Sequence, residues 1–254
     1  MDELLLSRIE DASLNASAAP QQRWIDGWIV RYCPGKARRA RCVNAVAAGR
    51  LGLAARLELA RAVYEEAGLP MVLRITPFTQ PAGLDADLAQ LGYEGLDSTR
   101  VQYLPLGDGL EPAPLPRGLE WVPLNPEAFA QGVGALRGSP PDHCQAHANR
   151  MHLSPVPYRG FAIRRVADQQ ILSCGQFARE GEWVGLYDIF THSSARGQGL
   201  AQMLCERLLS QTIQQGAKIA YLQVESTNDA ALRLYSRLGF VSGYSYHYRE
   251  APRG

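Results

Sequence analysis

The stretch Ile189-Phe190-Thr191-His192-Ser193-Ser194-Ala195-Arg196-Gly197-Gln198-Gly199-Leu200-Ala201 runs from apolar residues through small ones into a segment with leucines at 200, 204 and 208. The apolar start reads as the end of a strand covering Trp183 to Thr191. Leucines four apart mark one face of a helix from about Gly199 to Gln214. Glycine permits unusual φ and close backbone approach, and the first amides of a helix have no partner inside it. The turn can therefore present several N–H groups to a phosphate or diphosphate, with Arg196 adding a charge-assisted contact. Its spacing, RxxGxA, is not a Walker loop, because no GKS or GKT follows, and it is not GxGxxG. A tight strand-to-helix connection without any ligand would use glycine in the same way.

Working outward, Pro105 to Gly118 holds four prolines and three glycines. Proline lacks the amide donor and locks φ, so this run is expected to be a linker that ends one domain before another begins. After it come a strand at 119–124, a helix at 126–136 and a proline-bounded irregular loop at 138–158. Three strands follow at 160–166, 171–179 and 183–191, then the 199–214 helix, a strand at 219–224, a helix at 229–238 and a last strand at 240–249. In that last strand Tyr244, Tyr246 and Tyr248 share one side. The first half carries a faded copy of this ending. Gly52-Leu53-Ala54 opens a helix with Leu57, Leu59, Ala60 and Val63 apolar, a strand covers 71–76, and a short helix ends in Leu91-Gly92-Tyr93. Gly52 and Gly199, like Gly92 and Gly239, are 147 residues apart, which points to internal duplication.

At this point the sequence resembles the GNAT acyltransferase superfamily, whose acyl-CoA pyrophosphate loop has the form Q/RxxGxG/A and is matched by Arg196, Gly199 and Ala201. The family's next landmarks, an Asn after the fifth strand, then Ala, then LYxxxGF, are matched by Asn228, Ala231 and Leu234-Tyr235-Ser236-Arg237-Leu238-Gly239-Phe240. The resemblance covers about residues 118 to 250. Near Arg50-Leu51-Gly52-Leu53-Ala54 one residue of the loop is missing, so the first half fits as a degenerate copy. The implied fold is α/β (α+β): two GNAT-like domains in tandem, each a mixed, mostly antiparallel twisted sheet flanked by helices. The expected boundaries are 1–110, a linker at 111–117, and a catalytic domain at 118–254.

The resemblance also implies a reaction, transfer of an acetyl group from acetyl-CoA, a co-substrate, to a primary amine in a direct ternary complex. The coenzyme would be held by the main chain of Ile189, Phe190 and Thr191 and by Arg196, Gly197, Gln198, Gly199, Leu200 and Ala201, with Asn228, Ala231 and Tyr235 beyond them. Tyr235 would protonate the departing thiolate, since a phenol with pKa near ~10 is protonated at neutral pH. Asp188 and Glu225 are the two base candidates. Each residue has an ordinary alternative: strand residues for 189–191, a solvated strand-end acid for Asp188 and Glu225, a packed ring for Tyr235, and a helix N-cap for Asn228. The amine would be a small molecule or peptide, and the protein a monomer or homodimer. A non-catalytic acyl-CoA-binding sensor is the rival reading.

Composition narrows the remaining classes. The chain has 254 residues, 46% hydrophobic and 20% charged, as an ordinary globular protein does. Its 26 Lys and Arg against 25 Asp and Glu create no general field for nucleic acid or anionic membranes. A local basic hairpin is expected around Pro34-Gly35, with Arg31, Lys36, Arg38, Arg39 and Arg41, and nucleic-acid binding by it is not expected. No apolar run approaches the ~20 residues that span a bilayer. The acidic start, Met1-Asp2-Glu3, is unlike a secretory signal, so the expected location is cytoplasmic. Five cysteines without a CxxC pair fit reduced thiols, with no metal site. His143, His147 and His152 fall in the 138–158 loop, where the resembled family shapes its acceptor site.

Overall fold

A computed structural model describes residues 2–33, 37–107 and 109–252. In chain order the elements are α1 (Glu3–Ala16), β1 (Gln22–Ile25), β2 (Trp28–Arg31), β3 (Val43–Ala45), α2 (Leu53–Glu66), β4 (Val72–Ile75), α3 (Leu84–Gln90) and β5 (Glu94–Pro105). The second half adds β6 (Leu119–Leu124), α4 (Pro126–Arg137), α5 (Pro141–Leu153), β7 (Tyr158–Arg165), β8 (Ile171–Glu180), β9 (Trp183–Thr191), α6 (Leu200–Gln214), β10 (Ile219–Glu225), α7 (Asp229–Arg237) and β11 (Val241–Glu250). The fold is mixed α/β. Between β5 and β6 the described residues form neither helix nor strand, as the prolines require.

Two compact units result, and they do not follow the linear boundaries 1–110 and 118–254. The larger comprises Met1–Ala16, Gln102–Val224 and Asn228–Ser242; the smaller comprises Ser17–Val101, Glu225–Thr227 and Gly243–Gly254. The first helix thus belongs with the second half, and the last strand with the first half. An edge strand exposes a row of unpaired backbone groups that any matching strand can satisfy, so sequence order does not decide which strand pairs there.

In the larger unit the strands lie in the order β6-β7-β8-β9-β10, with β6 to β9 antiparallel and β10 parallel to β9. α6 makes the crossover between the two parallel strands, the usual solution for a parallel pair. Its Leu200, Leu204 and Leu208 are buried with Phe161, Phe177, Leu186 and Leu222. Gly175 on β8 admits α6 and β9: a Cβ there would lie 2.5 Å from Ile189 Cδ1 and 3.0 Å from Leu204 Cδ2. α4 starts at Asn125, whose side chain accepts the Ala128 N–H at 2.8 Å, and ends at Gly138 with φ +65°.

The irregular loop expected at 138–158 is a correction, because 13 of its residues form α5. Pro140 is the N-cap and Pro141 the first helical residue, positions where the missing N–H would have had no partner anyway. Proline ends a helix from its interior but suits its first turn.

In the smaller unit the order is β1-β2-β3-β4-β11, with β3 parallel to β4 across the α2 crossover and β11 antiparallel to β4. Trp28, Leu57, Ala60, Val63, Tyr64, Leu73, Leu84 and Leu88 are its core. Leu59, two residues from Leu57, faces outward and is 47% exposed, whereas Tyr64 completes the stripe. Tyr244, Tyr246 and Tyr248 are buried along one side of β11, and Arg74 lies 3.9 Å from the Tyr246 ring centre. The hairpin turn falls at Asp26-Gly27 between β1 and β2. The expected turn at Pro34-Gly35, with Lys36, lies outside the described residues, and Arg38–Ala40 is a 3-10 turn instead of a strand.

Of the two glycine pairs 147 residues apart, the helix ends match in backbone and the helix starts do not: Gly52 before α2 is extended (φ −63°, ψ 157°), and Gly199 before α6 is left-handed (φ +76°, ψ 1°). α3 ends with Gly92 N–H donating to Ala89 O at 3.1 Å and Tyr93 N–H to Leu88 O at 3.0 Å. α7 ends with Gly239 N–H to Ser236 O at 3.0 Å and Phe240 N–H to Tyr235 O at 2.9 Å. Gly92 and Gly239 both have positive φ, +81° and +92°, which explains glycine at both positions.

Candidate functional site

The decisive local feature is a bulge in β9. Gln176 pairs with Tyr187 and Cys174 with Phe190, so two residues, Asp188 and Ile189, stand opposite Gly175 alone. Asp188 takes φ +52°, which an aspartate accepts more readily than most residues. Pairing of β9 with β10 stops at Leu186 and Leu222, although β9 continues to Thr191 and β10 to Glu225. Ile189, Phe190 and Thr191 therefore run past the point where the two parallel strands part. On the β8 side Ser173 Oγ donates to Phe190 O at 3.2 Å and lies 2.9 Å from Thr191 Oγ1, which fixes the strand end.

Thr191 leads into a 3-10 turn at Ser193–Ala195, where His192 Nδ1 accepts the Ser194 N–H at 3.2 Å. Gly197 and Gly199 both have φ +76°, and a Cβ on either would meet nothing within 4 Å. They are glycines for conformation and not for space. The N–H groups of Gly197 and Gln198 have no hydrogen-bond acceptor among the described residues, and no side chain caps α6. Arg196 is exposed, with its guanidinium 5.8 Å from the Phe190 ring centre and Nε donating to Thr191 O at 3.4 Å. Open amides, a helix N-terminus and an exposed cation lie within six residues of one another, a combination that suits an anion.

Asn228 caps α7, its Oδ1 accepting the Ala231 N–H at 3.1 Å, so its N-cap use is observed. Tyr235 on α7 is buried among Leu200, Leu234 and Phe240, with its ring 5.9 Å from Phe240. Burial first, and then the nearby Cys205, raise its phenol pKa, so the proton stays on. Glu225 is exposed at the end of β10 and falls in the smaller compact unit.

Asp188 does not stand free. Its Oδ1 accepts from Arg137 Nη1 at 2.8 Å, its Oδ2 from Gln176 Nε2 at 2.7 Å, and His147 Nε2 lies 3.4 Å from Oδ2. Burial alone would raise the Asp188 pKa, but Arg137, His147 and Arg150 outweigh it and hold the carboxyl well below the usual range. A carboxylate with so little proton affinity is a weak base, which argues against the base role considered for it.

Arg137, His147 and Gln176 are the residues that sequence reasoning did not join to Asp188. Of the three histidines only His147 turns inward, edge-on to Phe129 at 5.9 Å; His143 is exposed and His152 pairs with Glu127 at 2.6 Å. Gln176 Nε2 lies 3.2 Å from His147 Nε2, so a neutral His147 protonated on Nδ1 accepts from Gln176. Burial lowers the His147 pKa. As pH falls below the ordinary histidine value of ~6.5, the unfolded chain takes up the proton before the folded one. Stability should then fall with pH across that window, and the His147→Gln protein should show a flatter profile in urea melts at pH 5.5 to 7.5. Parallel profiles would refute the burial of a neutral ring. Among the described residues no group of His, Cys, Asp and Glu is arranged to hold a metal ion, and no helix is long and apolar enough to cross a membrane.

In the second half a bulged strand thus parts from its parallel neighbour beside an open-amide turn and the start of a helix. Residues 132–240 match the model of the acetyltransferase (GNAT) family. Acetyl-CoA is the co-substrate of that family. Over nearly its whole length the chain is similar to an uncharacterized N-acetyltransferase, YobR, of Bacillus subtilis (strain 168), with 25% identity over 255 residues, covering 98% of this chain and 99% of that protein. In fold it is similar to a GCN5-related N-acetyltransferase from Kribbella flavida, with a TM-score of 0.70 at 17% identity over 98% of this chain and 96% of the other. It is also similar to a tandem GNAT protein from the clavulanic acid biosynthesis pathway, with a TM-score of 0.63 at 15% identity over 79% of this chain and 70% of the other.

Proposed function

We propose that the second half of the chain binds acetyl-CoA and transfers its acetyl group directly to a primary amine, the first half being a degenerate copy that supports it. The observation that carries this reading is the continuity of the β9 bulge, the free strand end at 189–191 and the open amides at 197–198. The diphosphate would lie on the main chain of Arg196 to Ala201, and the pantetheine arm along Ile189, Phe190 and Thr191, with Asn228 and Ala231 flanking it. Those strand amides also suit the developing oxyanion.

The acceptor nitrogen loses a proton to water and forms the N–C bond as the C–S bond breaks, and Tyr235 gives its proton to the departing sulfur and regains one from solvent. Cys174 and Cys205 are both pushed up to about 12 by burial, so neither supplies a thiolate for a covalent intermediate. Asp188, with Arg137, His147 and Gln176, holds the bulge in shape. Glu225 remains the alternative base.

A thiol-release assay with acetyl-CoA over a panel of primary amines tests the activity. Tyr235→Phe should lower kcat by about 10²-fold, the usual scale for losing a general acid, with KM for acetyl-CoA changed little. Undiminished turnover in that protein would remove Tyr235 from the reaction. Coenzyme-dependent thermal protection without thiol release on any amine would favour a sensor.

A further inference from the structure

The turn before α2 holds the sequence position in the first half that the turn before α6 holds in the second, with a different backbone: Gly52 is extended at φ −63° and ψ 157°, whereas Gly199 has φ +76° and ψ 1°. Gly52 caps one helix and Gly199 the other, and the residues ahead of the cap are Arg50 and Leu51 in the first copy, Gly197 and Gln198 in the second. In the second copy those amides are open. In the first they are taken. Asp26 Oδ1 and Oδ2 each lie 2.8 Å from the Arg50 nitrogen, and Oδ2 lies 2.7 Å from the Leu51 nitrogen.

The surrounding residues are shaped for this carboxylate. Asp26 takes φ +41° and Gly27 φ +86°, which turns the chain after β1 so that Asp26 faces the loop. Gly49 has φ +72°, and a Cβ on it would lie 2.3 Å from Asp26 O and 2.4 Å from Oδ2, so only glycine lets the two approach. Arg56 on α2 is buried at 4% exposure, stacks 4.9 Å from the Trp28 ring centre and donates through Nη1 to Ala48 O at 2.6 Å. Its Nε has no hydrogen-bond partner and faces Asp26 Oδ2 at 3.9 Å. Two main-chain donors and a buried cation thus converge on one anionic position. The amide hydrogen bonds from Leu51 and then Arg50 hold the Asp26 carboxyl below its usual range. An open groove of about 460 Å³ adjoins it, lined by Trp24, Leu51 and Leu59 among others, so the position is reachable from solvent.

We propose that the Asp26 carboxylate is a built-in anion that occupies the phosphate cradle of the first copy, so that this half excludes a coenzyme diphosphate and, once the carboxylate is removed, takes a phosphate or diphosphate from solution. The first copy kept the donors and supplied its own ligand. The exclusion of a second coenzyme rests also on the function proposed above; the state of the Arg50 and Leu51 amides does not.

The experiment is a titration of the full chain with inorganic pyrophosphate, followed by amide ¹H–¹⁵N spectra. Asp26→Gly removes the carboxylate and suits the positive φ. In it the Arg50 and Leu51 resonances should move on titration, with an affinity at least about tenfold above any wild-type response at those amides, the worth of one charge-assisted hydrogen bond no longer competing. Should the glycine protein not fold, Asp26→Asn keeps the turn, removes the charge and carries the same expectation. Unmoved Arg50 and Leu51 resonances in a folded variant, or an equal response in the wild type, would overturn the proposal. The Gly197 and Gln198 resonances, followed in the same spectra, report on the second copy independently.

Discussion

On the proposed function, acetyl-CoA should raise the melting temperature of the wild-type protein, and replacing Gly199 with valine is expected to abolish that rise. Gly199 caps α6 with φ +76° and ψ 1°, a conformation that a β-branched residue all but never adopts. Its Cβ would meet nothing within 4 Å, so the loss comes from the backbone and not from a clash. Holding valine in the left-handed region costs about 1–2 kcal/mol. Relaxing out of it turns the Gly197 and Gln198 amides away from their common focus. At a coenzyme concentration 100 times Kd the wild type gains about 2.7 kcal/mol by linkage. The Gly199→Val protein should gain almost none of it, while its unliganded stability falls by no more than the strain. Thermal melts with and without acetyl-CoA separate the two quantities. A full ligand-induced shift in the variant would show that the turn does not hold the diphosphate.

Asp188→Ala should destabilise the second half strongly for a change at a polar residue. It leaves Arg137 and the buried Gln176 without their acceptor and forces alanine to φ +52°. Removing one partner of a buried pair costs about 3–5 kcal/mol and of an exposed pair at most about 1. Side-chain exposures of 23% for Asp188 and 32% for Arg137 place this pair between, at about 2–3 kcal/mol. Asp188→Asn, which tolerates the backbone and keeps one acceptor, should lose about half as much. Because the folded carboxyl has a lowered pKa, its contribution is complete above the ordinary aspartate value of ~3.9 and fades as pH falls toward the folded value. Urea unfolding at pH 7 and pH 3.5 should therefore show the gap between wild type and Asp188→Asn narrowing in acid. A constant gap, or a neutral alanine variant, would mean that the cluster does not stabilise the bulge.

Much of this architecture is legible along the chain because its causes are local. The leucines at 200, 204 and 208 set a helical face, the tyrosines at 244, 246 and 248 a strand face, and glycines at 92, 199 and 239 mark backbone turns that side chains resist. The RxxGxA and LYxxxGF spacings belong to the same category. They lie within single turns or helices, where neighbours in sequence are neighbours in space. α5 escaped because two prolines stop a helix from its interior and start one at its end, and residue type alone does not say which.

What the chain by itself determined is therefore the second half's run of elements apart from α5, the repeated glycine spacing and the position of the 197–199 turn, each set by hydrophobic period or backbone conformation within a few residues. Only the tertiary structure decided that Asp188 meets Arg137, His147 and Gln176, that Asp26 closes the first copy's loop, and that β11 pairs with β4 in the smaller sheet. Charges find partners and strand edges find strands by distance in space. Those distances arise only when segments far apart in sequence are packed together.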